Sequence, residues 1–129
     1  MDSDQLLKRE NIWYLLSDLY LDTEFGESDA KYMASEILES GFDLKTIEKI
    51  LFDEVHPVFC WNLMTVAGEW AGFKREYVAE MVSSNLRSEA PKSWFEKQKY
   101  KARLRQIDSA KYLVKDSWLM VKSYIQRND

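Results

Sequence analysis

The sequence predicts an all-α fold, a compact single domain of six or seven helices around a central apolar helix at about residues 57–67. Three observations lead there. Apolar residues recur three and four apart along almost the whole chain, which is the repeat that lines one face of a helix. Four Gly and two Pro in 129 residues supply few of the turns that a sheet of hairpins requires. The 46% hydrophobic residues, with five Trp, seven Tyr and six Phe, are enough for one core at a length where folding buries roughly two thirds of the exposed surface.

The elements follow in order. Ile12, Trp13, Leu16, Leu19 and Tyr20 form one helical stripe within residues 4–20, and the aperiodic acidic stretch 21–27 reads as a loop. Ser28 stands where an N-cap belongs, before a second helix with Tyr32, Met33, Ile37 and Leu38 inward. Gly41 closes that helix in the left-handed conformation, with Phe42 as the apolar contact beyond it. Asp43 caps a third helix bearing Leu44, Ile47, Ile50, Leu51 and Val55, and Pro57 is expected to end it at His56.

Pro57 also suits the first turn of a new helix, because its missing N–H has no partner there in any case. The residues that follow, from Val58 to Ala67, are apolar on nearly all sides and are expected to be the hub. Residues 68–73 turn the chain, and Tyr77, Val78, Met81, Val82 and Leu86 mark a fifth helix. Residues 88–92 form a linker before Ser93, a further N-cap. From Trp94 to about Gln126 the stripe of Tyr100, Leu104, Ile107, Val114, Trp118, Val121 and Ile125 weakens at Lys111, so this stretch is one rod or two, with Asp108 and Ser109 as capping residues for a separate last helix.

The net charge of −4 conceals a division. Residues 1–89 carry 18 Asp and Glu against eight Lys and Arg, a net −10, while residues 90–129 carry four against ten, a net +6. Such asymmetry bears on partners and on docking between the two parts. The acidic amino terminus lacks a secretory signal, and no apolar run reaches the roughly 20 residues that span a bilayer, so a cytoplasmic location and no membrane contact are expected. The single Cys60, among Val58, Phe59 and Trp61, reads as an inert buried thiol in a reducing compartment.

Known chemistries are thinly supported. Asp53 and His56 have the carboxylate-x-x-His spacing of di-iron helices, but one His and one Cys cannot complete that site or a zinc site, so no metal or cofactor is expected. A Cys60–His56 dyad would need the helix to run unbroken through Pro57. No Gly-rich phosphate loop occurs, and no catalytic constellation is visible, so the chain is expected not to be an enzyme. Glu69 alone, between Gly68 and Trp70, could be a desolvated carboxylate, although capping a helix or meeting an Arg is the plainer role.

Two charged stretches stand out as candidate surfaces. Asp18, Asp22, Glu24, Glu27 and Asp29 crowd a loop and its edges, and with Glu69 and Trp70 they suit a basic protein partner. Lys97, Lys99, Lys101, Arg103 and Arg105 could follow a phosphate backbone, although steps of two scatter them around a helix, and nucleic acid is the less favoured partner.

The segments Ser17-Asp18-Leu19-Tyr20-Leu21-Asp22-Thr23-Glu24 and Ala67-Gly68-Glu69-Trp70-Ala71-Gly72-Phe73, with Glu54 to Pro57 and Asn62-Leu63 between them, resemble an uncharacterised family of small helical bacterial proteins. The resemblance covers roughly residues 10–82 and implies a single helical domain, with no established site residues to carry over. By type it suggests a cytosolic immunity or inhibitor protein, which neutralises a bacterial toxin by occluding a basic cleft with an acidic surface. The alternatives are a nucleic-acid-associated regulator using the basic carboxy-terminal helices, and a small enzyme with an unrecognised carboxylate site.

Overall fold

Helix ends in this chain are set by short polar side chains and a glycine, mostly at the positions the sequence indicates. The computed structural model describes residues 2–65 and 68–127, and among them there are six helices and no strand. Helix α1, Ser3–Ser17, is capped by Asp2 accepting from the Gln5 N–H, and runs into a 3-10 turn, Asp18–Tyr20. Helix α2, Glu27–Ser40, starts two residues ahead of the position expected from a cap at Ser28. Gly26 takes the cap position and Asp29 reaches back to accept from its N–H at 2.8 Å, a bond to the cap residue rather than the first-turn bond expected of the Ser28 hydroxyl. Gly41 closes α2 at φ 80°, as the sequence predicts.

The next rod differs from expectation. Helix α3 comprises Leu44–Ile50, a π turn at Leu51–Val55, and His56–Met64, without a break at Pro57. Asp43 caps it through the Thr46 N–H at 2.7 Å. A proline within a helix removes one donor and presses its ring on the carbonyl four residues back. Here the backbone widens just before the proline, and the His56 N–H bonds the Leu51 carbonyl five residues back. The extra residue in that turn takes up the misfit, so the rod continues.

The hub accordingly lies further upstream than residues 57–67. Ile47, Ile50, Leu51, Val55, Phe59 and Cys60 are buried, whereas Val58, Trp61 and Leu63 are half-buried and Met64 is exposed; Val66 and Ala67 lie outside the described residues. What covers the rod decides this: α1 and helix α4, Arg75–Arg87, close over the π turn, and beyond Cys60 the rod runs out towards the surface.

The carboxy-terminal stretch is two helices, α5 at Trp94–Ser109 and α6 at Tyr112–Arg127, parted at Ala110 and Lys111 where the stripe weakens. Ser93 caps α5 through the Glu96 N–H. The Ser109 hydroxyl donates back to the Gln106 carbonyl rather than capping α6, so the break owes more to Lys111 in the apolar register than to a cap. Helix α6 lies against α2, burying Val114, Trp118, Val121 and Ile125 on one side and Ala30, Met33, Ala34 and Ile37 on the other. Tyr32, Leu38, Tyr77, Met81, Leu86, Tyr100 and Leu104 are exposed instead of buried, because each lies at the edge of its stripe where no further helix covers it.

Four polar side chains of α3 tie the other elements to it. Glu48 accepts from Trp118 Nε1 on α6 at 3.3 Å and meets Lys122 at 3.5 Å. Glu54, nearly buried, accepts two bonds from the Arg9 guanidinium and one from Trp13 Nε1 at 2.8 Å, both from α1. Asn62 bonds the loops discussed below. His56, wholly buried, contacts the Ile107 carbonyl through Nε2 and the Tyr20 hydroxyl through Nδ1, each at 2.8 Å.

A carbonyl can only accept, so Nε2 carries the proton and Nδ1 accepts from Tyr20, leaving the imidazole neutral. Burial, with Lys111 acting in the same direction, holds the His56 pKa below its ordinary 6.5 against the pull of the Ile107 carbonyl and Asp108. Burial likewise keeps the Tyr20 phenol well above its usual range, hence a donor. The unfolded chain therefore takes up a proton first on acidification, and stability is full above about pH 6.5 and falls below it. Urea denaturation between pH 5 and 7.5 checks this; His56→Phe should abolish the slope and cost about 1–3 kcal/mol at neutral pH by leaving the Tyr20 hydroxyl and Ile107 carbonyl unpaired.

Candidate functional site

Two acidic segments far apart in sequence meet on the surface because one amide side chain spans them. Asn62, on the last turn of α3, donates through Nδ2 to the Tyr20 carbonyl at 2.7 Å and the Glu69 carbonyl at 2.9 Å, and its Oδ1 accepts from the Glu69 N–H at 2.8 Å. Only an amide supplies two donors and an acceptor in this arrangement. The Asp22 N–H completes the junction by donating to the Glu69 carbonyl at 2.6 Å.

Gly68 makes the approach feasible. A Cβ there would lie 2.3 Å from the Asn62 backbone carbonyl oxygen, so any side chain forces the turn off α3. Beyond it Glu69 is exposed, and its carboxylate accepts from the Ala71 N–H at 3.0 Å. No helix starts there among the described residues, so the carboxylate braces a loop turn instead of capping a helix, and it is exposed rather than desolvated. Trp70 projects next to it with 68% of its surface exposed.

The seven acidic-surface candidates therefore divide. Asp22, Glu24, Glu69 and Trp70 lie exposed at or beside the junction. Glu27 is also exposed, but it accepts from the Tyr124 hydroxyl of α6 and sits 3.8 Å from Lys31, interactions that hold its carboxyl below the usual range, Tyr124 foremost. Asp29 is committed to the α2 cap. Asp18 borders a small hollow of about 100 Å³ with Leu15, Thr23, Phe25 and Tyr32, and burial, then the charge of Asp29, raises its pKa.

Asp18 thus takes up a proton more readily than an ordinary carboxyl, but the lone His and Cys that could work with it are buried in the core. Those two do lie on adjacent turns of an unbroken helix, yet both His56 nitrogens are occupied by Tyr20 and Ile107. Burial pushes the Cys60 thiol up to about 11, which disfavours the thiolate. Asp53 is exposed while His56 is buried, and no group of three or more His, Cys, Asp or Glu fit to hold a metal occurs among the described residues.

The basic run is split by the helix. Lys97, Lys101 and Arg105 fall at four-residue intervals on one stripe of α5, whereas Lys99 lies 4.7 Å over the Phe95 ring and Arg103 5.6 Å over the Trp61 ring. The last two border a groove of about 720 Å³ between α5 and the linker, which Asp53, Glu89 and Glu96 also line. The attraction expected between the acidic and basic parts is found on α6, where Lys122 meets Glu48 and the charge of Arg127 acts on Glu27, but not along the outer stripe of α5.

Asn62 is the residue that sequence alone would not single out, since its role appears only when residues 20, 62 and 69 converge. Asn62→Asp should replace two donors with a repelled oxygen, and Gly68→Ala should push the turn outward. Both variants should retain far-ultraviolet helicity while Trp70 emission and the amide shifts of Asp22 and Glu69 change; unchanged shifts at Asp22 would contradict the assigned junction.

No helix among the described residues is long and apolar enough to cross a membrane. No curated protein and no solved structure matches the chain. A family match extends over residues 7–124, and so includes both basic helices as well as the acidic junction. The chain belongs to the family described as Domain of unknown function (DUF7079).

Proposed function

We propose that the chain is a protein-binding module, an immunity or inhibitor protein of the cytoplasm that neutralises a basic bacterial toxin by covering its cleft. The junction of Asp22, Glu24, Glu69 and Trp70 is the contact surface, with Asp22 and Glu24 as its open carboxylates and Glu69 holding the turn through the Ala71 N–H. The single observation that carries this reading is the Asn62 bracket, which fixes the backbone beneath one exposed tryptophan flanked by carboxylates.

A rigid aromatic anchor in a charged rim is the arrangement from which interfaces draw most of their energy. The carboxylates speed encounter with a cationic surface, and Trp70 supplies the contact that sets the dissociation rate. Asp29 and Glu27 are peripheral, because their carboxylates are already engaged in capping α2 and in joining it to α6.

Co-purification from the native host, or pairing with a toxin encoded alongside, supplies the partner for the test. Asp22→Lys with Glu24→Lys should lower the association rate at least about tenfold at low salt. Trp70→Ala should raise the dissociation rate at a cost of about 2 kcal/mol or more. Both should lose protection of cells against the toxin while keeping the parent's thermal stability. Full binding and full protection by both variants would refute the proposal.

A further inference from the structure

Helix α5 is unlike the other helices in how little of it the fold uses. It runs for 16 residues, about 24 Å, and buries only Ile107. Trp94, at its first position, is 74% exposed and has no ring or cation partner among the described residues. The spacing Trp94, Lys97, Lys101, Arg105 is three, four and four, which sets the ring and three cations along one stripe with the charges about 6 Å apart. All four side chains are exposed, and none of the three cations has an ion-pair partner among the described residues. Asp108, next on that stripe, is paired with Lys111 at 3.0 Å, which offsets its charge.

We propose that this stripe binds single-stranded nucleic acid, with Lys97, Lys101 and Arg105 following successive phosphates and Trp94 stacking on an unpaired base. Regularly spaced cations ending at a flat exposed ring are what a strand needs, because the backbone is tracked by charge and any base offers a π face. A duplex would satisfy the cations but hide its bases from Trp94. An acidic partner helix would need an apolar seam beside the charges, but the exposed Tyr100 and Leu104 line the groove that Asp53, Glu89 and Glu96 make acidic, Phe95 lies under Lys99, and the opposite flank holds Gln98, Ala102 and Gln106. The groove on the other side of α5 is a poor path for a polyanion, since Asp53, Glu89 and Glu96 line it beside Lys99 and Arg103. The stripe is separate from the acidic junction and does not depend on the toxin reading.

Fluorescence anisotropy of the full chain with labelled oligonucleotides of about 12 nucleotides, single-stranded DNA, single-stranded RNA and duplex, tests the proposal. Three neutralised phosphates predict a slope of about −2 in log affinity against log salt, or a roughly twentyfold loss between about 50 and 200 mM. Lys97→Gln with Lys101→Gln and Arg105→Gln should abolish most of that slope and weaken binding at least about tenfold at low salt. Trp94→Ala should weaken single-strand binding about fivefold or more with the slope unchanged. These positions are exposed, so thermal melting should stay at the parent value and separate lost binding from lost folding. Asp22→Lys with Glu24→Lys should still bind the strand. Binding that is absent at low salt, unaffected by either α5 change, or tighter for the duplex would overturn the proposal, as would equally effective competition by poly-glutamate, which cannot stack.

Discussion

Pro57 has no N–H to offer the turn before it, and the architecture depends on how the backbone meets that lack. A break there would give two short helices at a free angle. The π turn at Leu51–Val55 keeps one rod from Leu44 to Met64, and so fixes the relative rotation of every side chain along it. Glu54 then faces Arg9 and Trp13, His56 faces Tyr20 and Ile107, and Asn62 reaches the Tyr20 and Glu69 carbonyls. Together these bonds join the rod to α1, to the turn at Tyr20, to α5 at Ile107 and to the loop at Glu69. Polar groups in a low-dielectric interior are costly unless satisfied, and among the described residues no buried side-chain nitrogen or oxygen lacks a partner.

The same rod connects the core to the candidate surface. Tyr20 is held at both ends, its side-chain hydroxyl by His56 and its backbone carbonyl by Asn62, six residues apart on α3. The acidic loop that follows Tyr20 therefore leaves the core from a fixed point, and Asp22 arrives at the Glu69 carbonyl. The Asn62 bracket joins the two loops to each other, while half-buried Phe25 and Phe73 pack each of them on the core. The basic face has the opposite character, a helix that projects its charges from a shallow attachment at Ile107. The two faces explain why a net charge of −4 says little about either.

Much of the fold was legible because caps and apolar spacing are local. Asp43, Ser93 and Gly41 act where the sequence places them, and the weakness at Lys111 does mark the end of a helix. Pro57 misled because local rules for proline describe a regular α-turn, and the wider turn upstream is not encoded by any single residue. Tyr100 and Leu104 have core spacing but no helix to cover them, which is a tertiary fact. At the site, the acidic residues were visible as composition. Their division into engaged ones, Glu27, Asp29 and Glu69, and open ones, Asp22 and Glu24, required the partners Tyr124, Gly26 and Ala71 to be placed in space.

Continuity of the rod through Pro57 is the claim on which these relations stand, and native-state hydrogen exchange of the amides from Ile50 to Leu63 measures it. In a helix that began at Pro57, the amides of Val58, Phe59 and Cys60 would be first-turn donors without intrahelical partners. A continuous rod predicts that they exchange only with global unfolding, together with the amides of Leu51 to Val55. Exchange of Val58 to Cys60 well ahead of the π turn would show two helices hinged at the proline, and would contradict the account.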